Sequence, residues 1–195
     1  PTMRRVYYSG YVSVNTYDER LPILIIRSGH APADSLRPFA RAELILWSAK
    51  AGLLEASGAA IHGRRLKSLA VSEPALTPVG FATSEVTARS EFPTDYLKER
   101  LYRAEHEYQV MAMVSSGNVE SGFVSRPLVT DEQGQIPGSF WTVPREYYHD
   151  ICYYALLTNR GARNRQAVEL HRALEQDPAA GRAFTQAGFK TLRDL

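Results

Sequence analysis

The chain has 195 residues, which suits one large domain or two smaller lobes and allows a substantial core to be buried without disulfides. Its 23 basic and 21 acidic residues leave a net charge of +2, which argues against nucleic acid or a membrane surface as partner. The single cysteine, Cys152, excludes an internal disulfide, and the longest aliphatic run, residues 21–26, is far too short for a membrane span.

The first forty residues carry weak patterns. Residues 11–14 are compatible with an edge strand. Residues 21–26 are apolar enough for a strand, whereas Pro22 suits the first turn of a helix, so both interpretations stay open. Gly29 ends this element, and the Ala, Pro, Asp and Ser of residues 30–41 predict a connector.

A strand, a loop and a helix start follow one another in the middle of the chain. Residues 44–47 predict a fully buried strand, and residues 69–71 predict a second one. Thr77 is placed as the N-cap of the next helix, and Pro78 occupies its first helical position. We therefore expect a strand that ends in a loop and opens a helix.

Such a helix start suits an anion. The backbone N–H groups of Val79 and Gly80 are expected to be unpaired and to point into a crevice, at the positive end of the helix dipole. From spacing alone an ordinary capped helix is the better interpretation, because every helix has an N-terminus.

The second half of the chain predicts further alternation of helices and strands. Thr94 and Asp95 are placed to cap a short helix, residues 105–116 predict an amphipathic helix, and residues 122–124 predict a buried strand. An exposed loop at residues 131–139 precedes a last strand and two C-terminal helices. The inward positions predicted for those two helices are Ala167, Leu170, His171, Leu174, Ala180, Ala183, Phe184 and Ala187.

This alternation predicts an α/β fold with largely parallel strands. Ligands of such sheets bind beyond the carboxyl ends of the strands, where the Thr77 helix start lies.

Motifs for nucleotide binding, serine hydrolysis or zinc proteolysis are absent from the sequence. The five histidines are scattered, so we expect no metal, no cofactor and no catalytic residues. Cys152 and His149 are better interpreted as an ordinary thiol and imidazole than as a nucleophile pair. The tyrosines at 147, 148, 153 and 154 suit packing, with a sugar pocket as the weaker alternative. An enzyme that uses Cys152 or these tyrosines is the third and least supported hypothesis.

Several segments, in collinear order from about residue 10 to the end, resemble the molybdate-binding periplasmic proteins of ABC transporters. They are Leu44 to Leu53 (LILWSAKAGL), Ser72 to Ala82 (SEPALTPVGFA), Ser115 to Asn118 (SSGN) with Gly122 to Val124, Ile136 to Ser139 (IPGS) with Trp141, and the closing Gly188-Phe189. The resemblance implies the class II periplasmic-binding-protein fold, in which two α/β lobes surround a cleft that holds a tetrahedral oxyanion. It assigns residues 1–42 and 152–195 to lobe one and residues 43–151 to lobe two.

About forty residues at the start of lobe one in this family have no counterpart here. They include its first strand and helix and both N-terminal sets of ligand contacts. We therefore expect an incomplete lobe one and half of a binding cleft.

The resemblance implies three ligand-binding positions. Val79 and Glu107 are placed to offer backbone N–H groups at helix starts, and Ser125 occupies a third position. The supporting loop consists of Thr77, Pro78 and Gly80.

Glu107 departs from the family, which has an apolar residue at this position. A carboxylate about 6 Å from a dianion costs about 5 kcal/mol at an effective dielectric constant of about 20. The site therefore requires the Glu107 side chain to turn outward. The plain alternative is that Glu105 and Glu107 only stabilise the positive end of a helix dipole.

The resemblance implies a non-catalytic substrate-binding protein of an ABC transporter that binds molybdate or tungstate in the periplasm. Its partner is the membrane permease, with no role for nucleic acid. The alternative is a degenerate or partner-completed domain without anion affinity, acting as a sensory or interaction module. An exposed sheet edge of lobe one then favours a homo-oligomer.

Overall fold

A computed structural model describes residues 12–15 and 20–191 of the chain. The strands are β1 (Val12–Asn15), β2 (Arg37–Ala42), β3 (Leu44–Ser48), β4 (Leu69–Ser72), β5 (Leu101–Ala104), β6 (Ser121–Ser125), β7 (Ser139–Thr142) and β8 (Ile151–Leu157). The α-helices are α1 (Arg20–Arg27), α2 (Ala59–His62), α3 (Pro78–Thr87), α4 (Thr94–Lys98), α5 (Glu107–Ser115), α6 (Arg126–Val129), α7 (Arg165–Gln176) and α8 (Pro178–Gln186). Within the described residues, no helix combines the length and apolarity needed to cross a membrane.

The chain divides into two compact units, one made of Pro1–Arg41 with Cys152–Leu195 and the other of Ala42–Ile151. The first unit contains a three-stranded sheet of order β1-β8-β2, in which β1 runs antiparallel to β8. The second unit contains a five-stranded sheet of order β5-β4-β6-β3-β7.

The prediction of largely parallel strands holds for β4, β5 and β6 and is wrong for the other strand pairs described below. In the second unit β4 is parallel to β5 and to β6, because helices connect these strands in the chain. By contrast, β3 runs antiparallel to both β6 and β7, and the first unit pairs β1 and β8 antiparallel.

The core of the second unit lies between its sheet and the helices. All five residues of β3 are buried, which confirms the strand predicted at residues 44–47. Ile45 and Trp47 share a buried apolar cluster with Val110 and Val114 of α5. At Gly122 of β6 an added Cβ would lie 2.5 Å from the Val110 side chain, so glycine allows the close approach of this helix.

The N-terminal predictions are partly confirmed. Residues 21–26 lie in helix α1, which decides between the two interpretations in favour of the helix. Residues 30–41 are not a connector, since they form a short 3-10 helix and strand β2. The signal was weak because Phe39 gains its apolar contacts from rings distant in sequence, Tyr153 at 6.4 Å and Phe184 at 5.3 Å between centroids.

Strands β5 and β7 are not predicted from the sequence. Both are outer strands of the five-stranded sheet, and β5 exposes half of Tyr102 to solvent. The predicted short helix exists as α4, but its N-cap is Pro93, so Thr94 and Asp95 lie inside the first turn.

The C-terminal helices form where predicted, but their inward faces are smaller. Leu170 is 52% exposed, and Ala167 is the buried residue of α7. Ala183 of α8 and Ala187, its C-cap, are exposed, and Phe184 is half-buried. An apolar stripe marks the face that a helix can bury, whereas the neighbouring elements decide how much of it is covered.

Candidate anion-binding site

The carboxyl ends of parallel strands meet at one edge of the second unit's sheet. Ser72 at the end of β4 pairs with Ala104 at the end of β5, and β6 runs parallel on the other side of β4. Helices α3, α5 and α6 therefore begin at this edge. The strand order reverses around β4, and helix starts direct N–H groups and positive dipole ends outward, so this edge suits an anion.

Thr77 caps α3 as predicted. Its backbone is extended, and its hydroxyl oxygen accepts a hydrogen bond from the N–H of Gly80 at 2.9 Å. The same hydroxyl donates to Oγ of Ser72 at 3.0 Å, which ties the helix start to the end of β4. Pro78 takes the first helical position, where no N–H is needed. The expectation that Gly80 offers an unpaired N–H is wrong, because Thr77 satisfies it.

The backbone N–H of Val79 has no acceptor among the residues that the structure describes. Val79 is 2% exposed, so water has little access to this donor. A buried unpaired N–H costs about 1–3 kcal/mol, which an oxygen of a bound anion would offset.

Gly80 is required by the loop that follows β4. An added Cβ would lie 2.5 Å from the carbonyl oxygen of Glu73 and 2.6 Å from that of Ser72. Both neighbours are backbone atoms that cannot rotate away. Gly80 therefore lets this loop lie directly against the first turn of α3 and holds Val79 in place.

A second helix start lies at the same edge. Glu107 is the first residue of α5, and His106 is its N-cap. The side-chain oxygen of Gln109 accepts hydrogen bonds from the N–H groups of Glu105 at 2.8 Å and His106 at 3.2 Å, which fixes the loop entering the helix. The N–H of Glu107 itself has no acceptor in the described part of the chain.

The Glu107 side chain does not turn outward, which corrects the expectation from the sequence. Its Oε2 accepts a hydrogen bond from the backbone N–H of Ser125 at 2.9 Å. Although the residue as a whole is half-buried, its carboxyl group lies within the protein. Burial raises the pKa of the Glu107 carboxyl, and the hydrogen bonds from the N–H and hydroxyl of Ser125 only partly oppose that rise.

The direction of the Ser125 N–H follows from the sheet. The next residue, Arg126, donates its N–H to the carbonyl of Glu43 on the β3 side. Successive N–H groups of a strand alternate, so the Ser125 N–H points to the β4 side. There the pairing of β4 with β6 has already ended at Ala70 and Gly122, and the Glu107 carboxylate takes the place of a strand partner.

An ion pair that the sequence did not reveal flanks this edge. Nη1 of Arg126 lies 3.1 Å from Oε2 of Glu43, with both residues half-buried. The two partners are 83 residues apart in sequence, so no local spacing could have indicated the pair. Because Glu43 neutralises Arg126, the attraction available to an anion here comes mainly from backbone N–H groups and helix dipoles.

The other candidate groups have structural contacts. Within the described residues, no cluster of three or more His, Cys, Asp or Glu side chains could hold a metal ion. The hydroxyl of Tyr148 accepts the N–H of Leu44 at 3.0 Å, and the Tyr147 ring stacks under Arg89 at 4.0 Å. In the first unit Tyr153 packs against Phe189, with 5.1 Å between ring centroids. These tyrosines contribute packing, as the favoured interpretation has it.

Comparison with known proteins agrees with this architecture. Residues 17–190 match the family model described as bacterial extracellular solute-binding protein, and the chain belongs to this family. It is 31% identical over 153 residues to the molybdate-binding protein ModA of Azotobacter vinelandii, covering 78% of this chain and 60% of that protein. It is 29% identical over 150 residues to ModA of Rhodobacter capsulatus, covering 77% of this chain and 58% of that protein. The chain thus spans about three fifths of the length of these relatives.

The fold is shared with a solved structure of the same kind. The periplasmic molybdate-binding protein of Azotobacter vinelandii superposes with a TM-score of 0.81 at 27% identity, over 96% of this chain and 83% of that one. The periplasmic-binding-protein fold and the family resemblance predicted from the sequence are confirmed.

Proposed function

We propose that this chain is a substrate-binding protein of an ABC transporter and binds a tetrahedral oxyanion, molybdate or tungstate. In this proposal it works in the periplasm, delivers its ligand to a membrane permease, and catalyses no reaction. The ligand needs no cofactor or metal ion from the protein, because an oxyanion is held by hydrogen-bond donors alone.

The observation that carries the proposal is the buried N–H of Val79 at the start of α3. It has no acceptor among the described residues, and it lies at the sheet edge where Glu107 offers a second N–H. Hydrogen bonds to a charged group contribute about 1.5–3 kcal/mol each, so a few such donors give useful affinity. The relatives named as molybdate-binding proteins support a tetrahedral dianion as the ligand.

Isothermal titration of the folded chain with molybdate, tungstate and sulfate tests this proposal. We expect saturable one-to-one binding of molybdate and tungstate. Sulfate, a smaller oxyanion, is the comparison that reports selectivity. Absence of heat for all three anions, with folding verified by circular dichroism, would contradict the proposal.

One observation favours the second candidate, a domain without anion affinity. The Ser125 N–H already binds an anion of the protein itself, the Glu107 carboxylate. In that case β1, the outer strand of the first unit's sheet among the described residues, is the candidate edge for self-association. The named functions of the relatives do not favour this candidate. Light scattering alongside the titration separates the two candidate functions. A monomer that binds molybdate contradicts the domain without anion affinity.

A further inference from the structure

We propose that Glu107 couples anion binding at this sheet edge to the uptake of one proton. The site then accepts an oxyanion only when the Glu107 carboxyl or the anion itself carries a proton. The inference rests on the proposed function and concerns the same site.

A carboxylate already occupies this edge of the sheet. Oε2 of Glu107 lies 2.9 Å from the amide nitrogen of Ser125, which lies beyond the last pair of β4 and β6, Ala70 and Gly122. Glu107 is also the residue whose own N–H opens α5. An anion that uses this N–H therefore binds to the backbone of the same residue that carries the carboxylate.

No cationic side chain in the described part of the chain compensates this carboxylate. Among the described residues, no basic side chain forms an ion pair with Glu107, and Arg126 on the adjoining α6 is held by Glu43 at 3.1 Å. The other ionisable groups on or next to α5 and the elements packed against it are Glu73, Arg100, Tyr102, Arg103, Glu105, His106, Tyr108 and Glu120. A dianion placed beside Glu107 therefore meets an unneutralised like charge.

Protonation of Glu107 removes this repulsion, and the surroundings of the carboxyl favour it. Burial raises the pKa of Glu107 above the ordinary value of 4.5, so the buried carboxyl takes up a proton more readily than an exposed one. A nearby dianion raises it further. The protonated carboxyl keeps Oε2 as acceptor for the Ser125 N–H and gains an O–H that donates to the ligand.

The proton balance does not depend on which oxygen carries the proton. Either the carboxylic acid donates to the dianion, or a hydrogen oxyanion donates to the carboxylate. In both cases one proton is taken up with each bound anion, at any pH where free Glu107 is ionised and the free oxyanion is a dianion. The proposal therefore makes two quantities measurable, the number of protons taken up per anion and the change of affinity with pH.

Calorimetry of molybdate binding measures both. The wild-type chain is titrated at about pH 6 and about pH 8, each in two buffers that differ in heat of ionisation, so that proton uptake is obtained directly. We expect close to one proton per molybdate at the higher pH, and an affinity that falls about tenfold per pH unit there. Tungstate, titrated in the same way, should give the same proton count.

The matched variants are Glu107→Gln and Glu105→Gln. The first keeps an oxygen acceptor for Ser125 but removes the titrating group, so its affinity should be independent of pH and at least tenfold higher than wild type at the higher pH. The second removes one exposed charge from the same loop and should retain wild-type proton uptake. A purely structural role of Glu107 would alter stability but not the proton count.

The outcomes separate this inference from the proposed function. Molybdate binding by the wild type without proton uptake overturns the inference and leaves the proposed function intact. Equal proton uptake by Glu107→Gln and wild type also overturns the inference and leaves the proposed function intact. If folded wild type and folded Glu107→Gln both fail to bind molybdate, tungstate and sulfate, both proposals are overturned. The wild-type proton count alone decides the inference if the variant does not fold.

Discussion

The hydroxyl oxygen of Thr77 lies 2.9 Å from the amide nitrogen of Gly80 and 3.0 Å from Oγ of Ser72. One buried side chain thus caps α3 and joins it to the strand that precedes it. The position of the Val79 N–H depends on this connection, because Val79 lies in the chain between Thr77 and Gly80, the residue whose N–H Thr77 accepts.

Replacing Thr77 with alanine should therefore weaken both the fold and anion binding. Loss of the cap leaves the Gly80 N–H without its acceptor, and we expect the free energy of unfolding to fall by about 1–2 kcal/mol. Urea denaturation measures the change. Thr77→Ser keeps the hydroxyl and should recover most of it; equal loss in both variants would show that the methyl group, not the cap, is responsible.

Gly80→Ala should destabilise the chain by about 1–3 kcal/mol, because the new Cβ would lie 2.5 Å from a backbone carbonyl oxygen. The control is Gly181→Ala in α8, another helical glycine, where the nearest atom lies 3.8 Å from the added Cβ. There alanine should be neutral or stabilising by up to about 1 kcal/mol. Thermal melts compare the two, and a Gly80→Ala variant as stable as Gly181→Ala would contradict the close approach.

Tyr148→Phe should cost about 1–3 kcal/mol of stability, because it removes the acceptor of the buried Leu44 N–H. The adjacent Tyr147→Phe is the matched control, since the Tyr147 ring contacts Arg89 by its face and phenylalanine keeps that face. We expect a change of about 0.5 kcal/mol or less for the control. Similar losses in both variants, measured by urea denaturation, would refute the role assigned to the Tyr148 hydroxyl.

Glu107 should make the unfolding free energy of the unliganded chain depend on pH. Its folded-state pKa is raised above 4.5, so the folded chain holds this proton to higher pH than the unfolded chain does. The stability that the group contributes is complete below pH 4.5 and is lost as pH rises through the folded-state pKa. Glu107→Gln has no such loss, so its stability relative to wild type should increase with pH and then level off.

Urea denaturation at a series of pH values measures that difference. Glu105→Gln, which changes an exposed carboxyl of the same loop, should show no comparable trend. A wild type that gains stability over Glu107→Gln as pH rises would mean that the charged form is favoured, contrary to the burial of this carboxyl.

Local patterns predicted those elements whose signals are themselves local. The buried strand at residues 44–47 and the Thr77–Pro78 helix start need only a run of apolar residues or a capping pair, and both form as predicted. Strand β5 had no such signal, because an outer strand exposes residues such as Tyr102. Strand β2 was missed because the partners that cover Phe39 lie more than a hundred residues away.

The sequence by itself determined the fold family, the capped start of α3 and the presence of a carboxyl group at position 107. Only the tertiary structure decided what that carboxyl does. It turns to Ser125, 18 residues further along, whose N–H lies beyond the last pair of β4 and β6, Ala70 and Gly122. The same packing occupies the Gly80 N–H and leaves the Val79 N–H without an acceptor in the described residues. Residue types and spacing decide which groups are present, whereas the pairing of strands decides which donors remain for a ligand.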